Sequence, residues 1–218
     1  MTIRAYSDSY RNGAANCLAV AFDYAIGDCG FSPDEFAALF VVSGYAERFG
    51  RGNPAVVAGL SGVELTAAIV RETDPERPLP PPTFSQERSP EYWAGWMIAQ
   101  YQWFSASPFC DLFEKVPPSE VLPMYKIYHE MDETSFFDAM DRKIALRMGE
   151  TKLKKQRENR GLSQSELARL AGVKLRSVQL YEQRVNPIDR AQVGTIFKLA
   201  HALGCRVEDL LEKPQTTE

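Results

Sequence analysis

The residues best equipped for chemistry cluster late in the chain. Leu175, Arg176, Gln179 and Leu180 recur at helical spacing opposite an apolar stripe that runs through Val178 and Tyr181, so they point outward together. Arginine and glutamine side chains can form paired hydrogen bonds with guanine and adenine edges, and an exposed leucine can meet a thymine methyl group. Lys174 stands at the edge of the same set. A second group of cations, Lys152, Lys154, Lys155, Arg157 and Arg160, precedes it and suits phosphate contact, with Lys152 and Lys155 foremost. The chemistry expected is recognition of double-stranded DNA.

Catalytic chemistry finds little to work with. The two histidines, His129 and His201, fall in expected helices with no nucleophile or carboxylate motif beside them. Cys17, Cys29, Cys110 and Cys205 are scattered, without the short paired spacing of a zinc or redox site, and suit free thiols in a reducing cytoplasm. Gly50-Arg51-Gly52-Asn53-Pro54 lacks the spacing of a phosphate-cradling loop and reads as a turn between helices. No enzyme, cofactor or metal is expected. The start of the chain, Met1 to Ser9, is polar and carries no apolar core of a signal peptide.

Two short helices must position the outward set. Ser163 and Glu166 have the spacing of a capping box, which starts a helix near Gln164. Leu167 and Ala171 share one face of it, Ala168 permits close approach, and Gly172 can take the positive φ of a sharp turn before Val173. On these residues, 151–213 resembles the Xre/Cro-type helix-turn-helix domain of phage repressors and bacterial regulators. The resemblance rests on the Leu162-Ser163-Gln164-x-Glu166-Leu167-Ala168 run, the basic leading helix, Val178, Glu182 and Asn186-Pro187. It extends to a further amphipathic helix with Ile196, Phe197, Leu199, Ala200 and Leu203, closed by Gly204, and a last short helix with Val207, Leu210 and Leu211.

The resemblance implies five helices around one small core, a lambda-repressor-like fold. It implies that Gln164 contacts phosphate with help from helix amides, and that a homodimer reads two half-sites. The chain departs from the family at three places. Lys174 replaces the usual Ser or Thr, removing a helix cap while placing a cation near the duplex. Arg184 stands where glycine is common and is compatible with a phosphate contact. Leu170, Leu175 and Leu180 are apolar where polar residues are usual, which fits either thymine readout or a protein interface.

Charge divides the chain. Residues 1–142 hold 10 Lys+Arg against 20 Asp+Glu, whereas residues 143–218 hold 15 against 9, so an acidic total conceals a basic C-terminal module. Residues 1–142 form the first expected domain, 143–150 a junction and 151–213 the DNA-binding domain.

The first domain is expected to be helical, and the chain all-α, because no stretch alternates like a strand. Helices are expected at Tyr10 to Cys29, ended by Gly30; after the Ser32-Pro33-Asp34-Glu35 cap; and after Ser61 with Glu64. Prolines 75, 78, 80, 81, 82 and 90 make residues 73–90 an extended linker or external loop. Tyr92 to Cys110 contains no charge and all three tryptophans, Trp93, Trp96 and Trp103. Its glutamines, serines and Pro108 argue against a membrane span and for a buried helix, though an aromatic cleft fits the same residues.

Ser119 to Met131, with Pro123 tolerable in the first turn, and Thr134 to Met148 read as two more helices, the second nearly continuous with the module that follows because no clear breaker precedes Gly149. Such a junction would couple the two halves. Residues 1–142 are therefore expected to bind an effector or a partner protein. Over its whole length the chain shows a more distant resemblance to Xre-type bacterial antitoxins, which implies an adaptor role with a protein partner and repression of its own operon.

Overall fold

A computed structural model describes residues 4–83 and 88–212. The expectations that fall on residues 1–3, 84–87 and 213 lie outside the described residues. All regular elements among the described residues are helical, and they group into two compact units, one ending at Ile144 and the other beginning at Ala145.

The first unit is built on α1 (Asp8–Asp23) and α6 (Pro90–Ser105). These two can lie unusually close because Gly95 has no side chain: a Cβ there would sit 2.6 Å from the Leu18 carbonyl oxygen and 2.8 Å from Ala19 Cα. Ala14, Ala15, Ala19 and Ala21 on α1 are fully buried, and Gly62 at the start of α5 (Gly62–Thr73) comes equally close, where a Cβ would sit 2.4 Å from the Ala21 amide nitrogen. α1 continues into a π-helical turn, Tyr24–Asp28, before Gly30 ends it.

Capping boxes at Ser32 and Ser61 start α2 (Pro33–Val42) and α5 (Gly62–Thr73), each serine accepting from the amide three residues on and each glutamate returning the bond. Between them lie two short helices that the apolar periodicity does not announce, α3 (Tyr45–Gly50) and α4 (Pro54–Val57), joined at the Gly50–Pro54 turn with Asn53 as cap. Phe40, Phe49 and Phe109 pack edge to face at 5.1–5.9 Å between centroids and form the core between α2, α3 and α7 (Phe109–Lys115).

The charge-free stretch is one helix only as far as Ser105. Ala106 takes a left-handed conformation (φ 54°) and Pro108 follows, so Phe109 and Cys110 begin α7 instead of prolonging α6. Trp103 is buried and donates from its indole to the Tyr6 carbonyl at 3.0 Å. Trp93 packs on Tyr125 and Phe136, and Trp96 stacks on Tyr92. These are packing roles. No helix among the described residues is long and apolar enough to cross a membrane.

The helix expected over Ser119 to Met131 is broken into α8 (Pro118–Val121), a 3₁₀ turn (Leu122–Met124) and α9 (Tyr125–Tyr128). Pro123 is the reason: it lacks the amide that an α-helix needs and crowds the preceding turn. The proline-rich segment 74–83 is an external loop of this unit, fastened by Tyr24 donating to the Pro80 carbonyl at 2.5 Å, the Thr83 amide to Asp28 at 2.9 Å and Arg77 to the Cys29 carbonyl at 3.2 Å.

α10 (Glu133–Arg147) ends one residue before the expected Met148 and crosses the division between Ile144 and Ala145. The continuous junction expected from the sequence is instead a turn, with Gly149 left-handed (φ 62°) and Thr151 capping the next helix through the Lys154 amide.

Candidate nucleic-acid interface

Among the described residues, four α-helices begin in the second unit: α11 (Lys152–Asn159), α12 (Gln164–Ala171), α13 (Leu175–Glu182) and α14 (Val193–Leu203). The expected fifth helix is a single 3₁₀ turn, Val207–Asp209, which still delivers Leu210 into the core. Leu153, Leu167, Ala171, Val178, Ile196, Leu199 and Leu203 form that core.

Ser163 and Glu166 build the capping box that starts α12, at 3.2 and 2.7 Å. The serine hydroxyl and amide hold the Glu166 carboxyl below its ordinary range. Gly172 ends α12 at φ 61°, and Val173 returns its amide to the Ala168 carbonyl at 3.0 Å. This turn sets α13 across α12. Lys174 occupies the cap position of α13 and supplies no side-chain cap, as its chemistry requires.

A buried ion pair fixes the far end of α13. Arg157 donates from Nε and Nη2 to the two carboxylate oxygens of Glu182 at 2.6 and 3.0 Å, and from Nη1 to the Leu162 carbonyl at 2.6 Å. The two side chains are 9% and 3% exposed. Glu182 also receives the carboxamide of Gln164 at 2.8 Å. One carboxylate therefore ties α11, the start of α12 and the end of α13 together, and it pushes the Arg157 pKa up.

The structure removes Arg157 from the phosphate-contacting cations that the sequence suggests, because its guanidinium is internal. Lys154 is also engaged, with Glu150 at 2.8 Å and Glu158 at 3.8 Å, and Arg160 reaches the Gly204 carbonyl at 3.4 Å. Lys152 and Lys155 remain exposed on α11.

At the start of α13, Lys174, Leu175 and Arg176 are all exposed, while Gln179 and Leu180, one turn later, are half-buried. Leu170 on α12 is 52% exposed and Leu175 41%. Gln164 keeps its backbone at the α12 N-terminus, but its carboxamide is turned inward to Glu182. Arg184 adopts the left-handed backbone (φ 56°) that explains why glycine suits this place in the family. Its guanidinium binds the Gly149 carbonyl at 2.7 Å and Glu212 at 3.2 Å.

Sequence reasoning missed two residues that organise this surface. Glu182 belongs to the motif but its role, like that of Glu212, leaves no local signal, because their partners lie 25 and 28 residues away.

The resulting surface presents two cations, Lys174 and Arg176, and the apolar Leu175 at one exposed helix end. It can bind an anion and touch flat heterocyclic edges.

Residues 153–210 match the family model described as helix-turn-helix. No curated protein and no solved structure matches the chain. The C-terminal region is thus a helix-turn-helix module of the Xre/lambda-repressor-like family.

Proposed function

We propose that the chain is a sequence-specific DNA-binding regulator of transcription, acting as a dimeric repressor in the cytoplasm. The observation that carries this reading is the exposed first turn of α13, Lys174-Leu175-Arg176, held on a helix-turn-helix frame by the buried Arg157–Glu182 pair. In this reading Arg176 and Gln179 bond base edges, Leu175 and Leu180 meet thymine methyl groups, and Lys174 lies at the groove edge. Gln164, Lys152, Lys155 and Arg184 contact phosphate. Dimerisation follows from the need to read two half-sites.

The test is Arg176→Ala in a binding assay that compares a selected duplex with a scrambled one. A base-reading arginine loses about 1–3 kcal/mol on the selected duplex and little on the scrambled one. Equal losses on both would reassign Arg176 to the phosphate backbone.

The exposed Leu170 and Leu175 support a second reading, in which the module and the acidic first unit serve an antitoxin-like adaptor. Its test is whether a neighbouring gene product co-purifies through residues 1–142.

A further inference from the structure

Glu212 sits where an outside anion belongs. Its carboxylate accepts the backbone amide of Lys152, the first residue of α11, at 2.9 Å, and the Arg184 guanidinium at 3.2 Å. A helix-start amide and a guanidinium are the donor pair that proteins direct at phosphate oxygens. Neither Arg184 nor Glu212 is free in solvent; each side chain is 15% exposed. Arg184 Nε is buried without an acceptor, so the guanidinium fork is only partly used by the carboxylate and the Gly149 carbonyl. The three groups come from different stretches of the chain, and Asp189 holds Glu212 in place by accepting its backbone amide at 2.8 Å.

We propose that Lys152 N–H and Arg184 form a phosphate site which the chain's own Glu212 carboxylate fills as an internal mimic, and which a DNA backbone phosphate takes over on binding. The site rests on the DNA-binding reading above and adds a regulatory element to it. Arg184 follows α13 by two residues, so the exchange of Glu212 for phosphate takes place next to the helix that meets the duplex. Glu212 thereby sets a threshold: the duplex must outcompete it, which weakens binding to any sequence and leaves strong sites favoured.

The experiment measures affinity of the full chain for a selected duplex and a scrambled duplex across a salt series, for wild type, Glu212→Gln, Arg184→Gly, the double variant and Glu208→Gln. Glutamine keeps an oxygen for the Lys152 amide while removing the charge that holds Arg184. Glu208 is exposed on the adjoining 3₁₀ turn and controls for simple loss of a negative charge. The site predicts that Glu212→Gln tightens binding to both duplexes severalfold more than Glu208→Gln, with the log–log salt slope of wild type kept, because the same phosphate is neutralised in either complex. Arg184→Gly abolishes that gain. In a second arm, inorganic phosphate alone raises the melting temperature of Glu212→Gln and not of the double variant, as a site for free phosphate chemistry requires.

If wild type binds DNA and Glu212→Gln behaves like Glu208→Gln, or the gain persists without Arg184, the mimic is refuted and DNA binding stands. If no variant binds either duplex, the DNA-binding reading itself fails.

Discussion

Replacing Glu182 by alanine removes the carboxylate on which three helices of the C-terminal unit converge. Arg157 then stays buried with only the Leu162 carbonyl and the Glu158 carboxylate, at 3.2 Å, to offset its charge, and Gln164 loses its acceptor. Breaking a buried pair from one side costs about 3–5 kcal/mol, because the abandoned charge remains out of water. A module of roughly seventy residues has about 3–10 kcal/mol of total stability, so Glu182→Ala brings this unit to the edge of unfolding.

The two units can be followed separately, since Trp93, Trp96 and Trp103 all lie in the first. In urea, tryptophan fluorescence should show an unchanged transition, while far-ultraviolet circular dichroism gains an early step. Arg157→Met combined with Glu182→Leu should recover most of the loss, because an apolar pair of similar volume carries no desolvation penalty. A single variant within about 1 kcal/mol of wild type, or a double variant as unstable as the single, would refute the account of this pair.

Other expectations follow from the same structure. Gly95→Ala forces a Cβ against the Leu18 carbonyl and Ala19, and should cost about 1–3 kcal/mol, read in the tryptophan fluorescence transition. Lys174→Ser supplies the missing cap of α13 and should stabilise the C-terminal unit by about 1 kcal/mol while weakening DNA binding and flattening its salt dependence. Burial pushes the Cys17 thiol up to about 12, so a thiol reagent in mildly alkaline solution should modify exposed Cys110 in the native chain and Cys17 only after unfolding. Between the ordinary thiol value of 9.0 and about 12, the unfolded chain loses this proton while the native chain keeps it. The Cys17 contribution is therefore complete below that window and falls by up to about 1.4 kcal/mol per pH unit through it, measurable as a falling urea midpoint.

What the sequence made legible was local. Capping boxes at Ser32, Ser61 and Ser163 and the turn at Gly172 all lie within a few residues of the groups they bond, and each appears in the structure where the spacing places it. Short helices such as α3 and α4 are too brief to show a periodicity, and Pro123, which the first turn of a helix tolerates, lies beyond the end of α8 at Val121, in the 3₁₀ turn that interrupts the expected helix. The interface was partly legible: periodicity separates Val178 from its outward neighbours. It does not show which cations are already spent. Arg157 and Arg184 look alike in sequence to Lys155, and only tertiary contacts with Glu182 and Glu212 distinguish them.

The most direct test of DNA recognition by this module is selection from a randomised duplex library, followed by titration of the selected and scrambled duplexes across a salt series. The account predicts a selected consensus with twofold symmetry, bound about a thousandfold or more tightly than the scrambled duplex, with affinity for both falling as salt rises. Recovery of no consensus, together with binding that is absent or equal on both duplexes, would contradict it.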